Sequence, residues 1–141
     1  MNDPFNLQRF VDAHESVYGR VCSELRAGRK ASHWMWFIFP QIAGLGHSAT
    51  ARRFAISSRE EAIAYLEHPV LGPRLQECSR LATHVDGGSA HEMFGSPDDL
   101  KFRSSMTLFA SVAKDNQVFM DALNKFYAGE LDSATLRLLG E

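Results

Sequence analysis

A chain of 141 residues with 45% hydrophobic and 23% charged side chains has the length and balance of one globular domain, able to bury a core without metal or disulfide staples. Its formal charge of -2, with Lys and Arg scattered in ones and twos, offers no basic stripe, so no nucleic acid polymer is expected as a partner. The longest apolar run, Trp34 to Pro40, is far short of the roughly 20 residues that cross a bilayer, and the polar start is unlike a secretory leader, so a cytoplasmic chain off the membrane is expected.

Asp3-Pro4 followed by Leu7, Phe10, Val11, His14, Val17, Tyr18, Val21 and Leu25 gives apolar steps of three and four, with Asp as cap and Pro at the first helical position. One helix is predicted from Pro4 to Ala27, stopped by Gly28. The next stretch, Lys30 to Gln41, gathers both tryptophans, Phe37, Phe39, His33 and a lysine, and the chain is expected to be organised around it. Ser32 can cap a short helix of about two turns that ends at Pro40; a short buried strand is the alternative. Gln41 to Ala51, with Gly44 and Gly46, reads as a loop, and Phe54-Ala55-Ile56 as a short extended or irregular link.

Ser58-Arg59-Glu60-Glu61 has the capping-box spacing and predicts a helix from Arg59 to Glu67, ended by Pro69. Val70, Leu71, Leu75, Cys78, Leu81, Ala82 and Val85 carry a second stripe to His84. Ser89 to Glu92 repeats the box before one short turn. Ser96-Pro97-Asp98-Asp99 combines cap, proline and N-terminal acids ahead of Leu100, Phe102, Met106, Phe109 and Ala113. Two further helices are predicted, Asn116 to Tyr127 and, with Asp as its cap, Asp132 to Leu139. No hairpin signal or internal repeat interrupts them. The prediction is an all-α fold, a single compact domain of six to eight helices over residues 1–141.

The candidate chemistry lies in two places. Trp34 and Trp36 can offer flat faces to a base or sugar, with Lys30 as a donor and His33 as a proton-transfer group beside them. Aromatic density also marks a core. Residues two apart on a helix point about 200° apart, so one indole must line a groove or reach the far side. Gln41 with the Gly44 to Gly46 loop resembles a ligand rim, although a plain turn needs glycines equally. In the later helix Lys101, Ser104, Ser105 and Leu108 fall on one side. A lysine one turn from a serine can activate it or bind an anion with it, whereas mid-helix serines also serve close packing.

The remaining groups carry less. His14 occupies an apolar stripe and reads as a hydrogen-bonded core histidine. His91-Glu92 lacks the HExxH continuation, and His47, His68 and His84 have no partner at metal spacing. Cys22 and Cys78, without ligand spacing, read as buried reduced thiols, so no metal or cofactor is expected.

Several of these segments together resemble one family: Asp3 to Phe10, His33 to Gln41 with Gly44-Leu45-Gly46, His68-Pro69-Val70-Leu71-Gly72, and Lys101-Phe102 with Ser104 to Phe109. Over nearly its whole length the chain closely resembles the DUF1810 family. The resemblance implies a compact, predominantly helical fold, known from a mycobacterial hypothetical protein, and it carries no catalytic assignment. Some members bear the label calpastatin, but this chain is unlike that disordered, repeat-built inhibitor.

The resulting expectation is a pocket for a small anionic, nucleotide-like molecule between the Trp-rich stretch and the Lys101 helix. Lys30, Trp34, Trp36, Gln41, Lys101, Ser104 and Ser105 would bind it, and His33 would act as acid or base if hydrolysis follows. The rival expectation is a protein-protein interaction module without catalysis, in which the aromatics form a core and a docking patch. Monomer and homodimer are equally compatible with the sequence.

Overall fold

In a computed structural model that describes residues 3–140, four helix starts follow from a side-chain oxygen placed three residues ahead of an orphan amide. Ser48, Ser58, Ser89 and Asp132 accept from the N–H groups of Ala51, Glu61, Glu92 and Thr135. They open α4 (Ala49–Arg53), α5 (Arg59–Glu67), α7 (Ala90–Phe94) and α10 (Ser133–Leu138). Ser89 and Glu92 complete the reciprocal box. The other helices are α1 (Gln8–His14), α2 (Tyr18–Ala27), α3 (Met35–Ile38), α6 (Leu71–Thr83), α8 (Asp98–Val112) and α9 (Gln117–Tyr127).

The described residues thus form ten helices, not six to eight, and the excess has two sources. The predicted Pro4 to Ala27 helix is two. Asn6 sits at φ 52 and the Asp3 carboxylate accepts from the amides of Leu7 and Gln8, so α1 starts a turn late. At Glu15 and Val17 the ladder tightens to i,i+3 bonds, and Val17 leaves helical geometry at φ -123. Apolar spacing runs across this break unchanged, so periodicity could not reveal it. The second source is α4, too short and polar to show a period, yet capped by Ser48. Between helices, Ile42 and Ile56 form an isolated parallel bridge that brings Gln41 beside the end of α4.

The helix that the rest packs around is α8, not the Trp-rich stretch. Phe102 and every residue from Ser104 to Ala110 are buried, because α3, α5, α7, α9 and α10 all pack on it. A helical stretch enclosed on all sides, as Ser104 to Ala110 is, is apolar or small all round rather than striped, which accounts for the serines in the middle of α8. Phe102 meets Phe39 edge-on at 4.8 Å between ring centres and stacks with Phe94 at 4.6 Å, while Phe109 joins Tyr65 at 5.4 Å.

His14 does pack in the core, and its partners fix its tautomer. A carbonyl can only accept, so Nε2–H donates to Phe37 O at 2.7 Å, and Nδ1 accepts from Arg74 at 3.2 Å. Burial lowers the imidazole pKa from 6.5 to about 4, with the Arg74 charge helping and the Phe37 carbonyl opposing. Between those values the unfolded chain holds a proton that the folded one does not. Folding stability is therefore expected to fall as pH drops from 6.5 towards 4, and urea midpoints measured across that range should lose this slope in His14→Gln.

Candidate functional site

Gly28 ends α2 at φ 73, a left-handed position that suits glycine. Its amide bonds Leu25 O, and the Arg29 amide bonds Glu24 O, both at 3.0 Å. The chain therefore doubles back over the end of α2, where the Lys30 amide donates to Met93 O at 2.7 Å. Glu24 collects the returning loop. Its carboxylate accepts from the Ala31 amide at 2.7 Å, the Ser32 amide at 3.1 Å, the Ser32 hydroxyl at 2.5 Å and the Trp34 indole N–H at 2.9 Å. Burial raises the Glu24 pKa, but these donors outweigh it and hold the group at about 2. Ser32 is thereby spent on Glu24 and does not cap α3, which has only four residues.

The tryptophans take different roles, Trp34 at the N-cap of α3 and Trp36 within it. Trp34 is 1% exposed and packs on Phe39. Trp36 is half-buried and walls a cleft with Gln41, Ile42, Gly46, Ala51, Phe54 and Ala55. A lysine ammonium stands 5.2 Å from the ring centre of each, Lys30 over Trp34 and Lys101 over Trp36. Asp98, in the first turn of α8, joins them: Oδ2 lies 2.9 Å from Lys30 Nζ and Oδ1 lies 3.3 Å from Lys101 Nζ. Two ammonium groups on one carboxylate leave one positive charge in excess. The inner half is closed, with the Lys30 side chain 8% exposed, and the outer half is open, with Lys101 at 26%.

The cleft beside Trp36 is narrow, with free volume of about 10 Å³, room for about one water. Gly46 permits this narrowness, since a Cβ there would meet the Ala51 methyl at 2.5 Å. Its lack of a side chain thus serves contact with α4. Roomier hollows of about 320, 270 and 370 Å³ all border Gln76 on α6 and include neither tryptophan. They are broader, but they bring no aromatic face and cation together.

The other sequence candidates have different surroundings. His33 is exposed and makes no hydrogen bond or ion pair among the described residues. Ser104 donates to Leu100 O at 3.1 Å or to Asp132 Oδ2 at 3.0 Å, so its hydroxyl belongs to the cap of α10. Ser105 is fully buried with its hydroxyl unpartnered. The Asp132 carboxylate that Ser104 meets is already engaged by the Thr135 amide and hydroxyl, and Ser105 has no partner at all. Among the described residues, no three His, Cys, Asp or Glu side chains converge as a metal site would require, and no helix is long and apolar enough to cross a membrane.

Asp98 and Glu24 were missed as organisers. The i,i+3 spacing of Asp98 and Lys101 was visible in the sequence, but it read as a helix-dipole acid. Nothing local marks Glu24.

With this geometry in view, the model of the DUF1810 family, described as a protein of unknown function, matches residues 4–139. The chain belongs to the DUF1810 family. This DUF1810 chain is also similar to the conserved hypothetical protein Rv1873 from Mycobacterium tuberculosis. The crystal structure of that protein superposes at a TM-score of 0.97, with 57% identity over 99% of each chain. Among curated proteins nothing matches this chain.

Proposed function

We propose that this DUF1810 protein binds a small anionic molecule carrying a flat ring, nucleotide-like in character, over the outer Trp36–Lys101 edge. The observation that supports this reading is the sharing of Asp98 by Lys30 and Lys101, which leaves an unneutralised cation beside a half-buried indole. The Lys101 stem is flexible and its ammonium is a point charge. It can swing off Trp36 to meet a phosphate or carboxylate, freeing the indole face for the ring, with Gln41 at the rim to orient it. Lys30 and Trp34 support the edge from beneath. Ser104 and Ser105 act through the packing of α8.

The test is a thermal-shift panel of nucleoside phosphates, sugar phosphates and inorganic phosphate, run on wild type and on Lys101→Met. Wild type is expected to gain several degrees with at least one ring-bearing anion, and Lys101→Met to lose most of that gain. The reading fails if no compound stabilises the protein, or if Lys101→Met responds equally. Hydrolysis forms a separate arm: turnover of a bound phosphate ester in wild type, abolished in His33→Gln, would assign His33 as acid or base. One observation favours the rival docking module, the 58% exposure of Leu100 beside Lys101. A docked protein would protect Leu100, whereas a small anion would leave it open.

A further inference from the structure

Cys22 and Cys78, far apart in sequence, are brought to one place by the packing of α2 on α6. On α2, Tyr18 and Cys22 lie one turn apart and share a face; on α6, Glu77 and Cys78 are adjacent. Tyr18 donates its hydroxyl to Glu77 Oε1 at 2.5 Å. The Cys22 thiol lies 3.8 Å from that same oxygen, and the Cys78 thiol lies 3.9 Å from the Tyr18 hydroxyl. The two sulfurs thus flank a single hydrogen bond. Both thiols are reduced and buried, with Cys22 at 5% and Cys78 at 0% exposure. Their cover is thin, for Tyr18 is half-buried and Glu77 is exposed.

We infer that Cys22 and Cys78 are a peroxide-sensitive modification site that closes to a disulfide between α2 and α6. The roles within the pair are unequal. Contact with the Cys78 thiol lowers the Cys22 pKa; burial and the Glu77 charge oppose this, while the Tyr18 hydroxyl and Arg26 assist it. Contact with Cys22, together with burial, pushes Cys78 up. Cys22, which also keeps some surface while Cys78 keeps none, is accordingly the attacking thiolate and Cys78 the resolving thiol.

In the first step Cys22 Sγ forms a bond to one oxygen of hydrogen peroxide, the O–O bond breaks, and the departing hydroxide takes a proton to become water. Cys78 Sγ, surrendering its proton, then attacks the Cys22 sulfenic acid and displaces a second water. The two thiols lose two electrons between them, and the peroxide gains them. The new bond fixes α2 two residues before Glu24, the residue that holds the Trp34 loop.

The experiment treats the reduced full chain with graded hydrogen peroxide, quenches, denatures, alkylates, and reads intact mass and a non-reducing peptide map. The mass is expected to fall by two hydrogens, with both cysteines closed to alkylation, a peptide joining residues 22 and 78, and full reversal by dithiothreitol. In Cys78→Ser, Cys22 should instead accumulate a dimedone-reactive sulfenic acid. If that variant does not fold, the wild-type peptide map decides alone. Two thiols still open to alkylation, over-oxidation of Cys22 with Cys78 untouched, or a bond between two chains would each overturn the inference.

Discussion

Asp98→Asn is expected to lose about 3 kcal/mol of folding stability, read as a lowered urea midpoint at neutral pH. The loss comes from the inner half of the cluster. Lys30 is 8% exposed and Asp98 is 18% exposed, so removing the carboxylate charge strands an ammonium that water reaches poorly. Breaking such a pair costs more than the pair contributes, because the surviving charge is left uncompensated. The Lys101 contact, at 26% exposure, adds about 1 kcal/mol or less. A double-mutant cycle separates these. Lys30→Met should recover most of the loss in the Asp98→Asn background, since an apolar stem can still lie on Trp34, whereas Lys101→Met should recover little.

Glu24→Ala is expected to cost about as much, roughly 3 kcal/mol, by a different route. Four donors lose one acceptor, and the Trp34 indole N–H, on a side chain 1% exposed, has no other partner among the described residues. The loop from residue 29 to 33 then loses its anchor, and tryptophan emission should shift to the red as Trp34 meets water. Glu24→Gln keeps one acceptor oxygen and should fall between the two. The pH dependence has a definite sign. The folded Glu24 pKa, about 2, lies below its ordinary 4.5, so its contribution is complete above 4.5 and lost as pH falls towards 2. The His14 loss, between 6.5 and 4, precedes it on acidification.

Helix starts governed by a single local hydrogen bond were legible in the sequence: Ser58, Ser89 and Asp132 each cap where the spacing placed them. Trp34 and Trp36 were expected to part company by helix geometry, and they do, but Trp34 stands at the non-helical N-cap of α3, so that geometry is not the reason. What could not be read depends on partners remote in the chain. Ser32 looked like a cap, but Glu24 takes both its amide and its hydroxyl. Ser104 and Ser105 fitted either a functional face or close packing, and what the sequence did not show is that α8 is enclosed there and that the Ser104 hydroxyl meets the cap of α10. The glycine at Gly46 looked like a ligand rim and instead lets a loop close on Ala51. In each case the residue type was informative and its partner was not, since tertiary contacts decide which of several local hydrogen bonds a side chain makes.

The most direct measurement follows the two indole N–H signals of uniformly labelled protein by NMR while AMP and, separately, inorganic phosphate are added. The Trp36 signal, assigned through Trp36→Phe, is expected to move with AMP in wild type and to stay still in Lys101→Met. The Trp34 signal, held by Glu24, should remain fixed throughout. Movement confined to amides around Gln76, with neither indole responding, would place the ligand in the broad hollows of α6 and contradict the proposed edge.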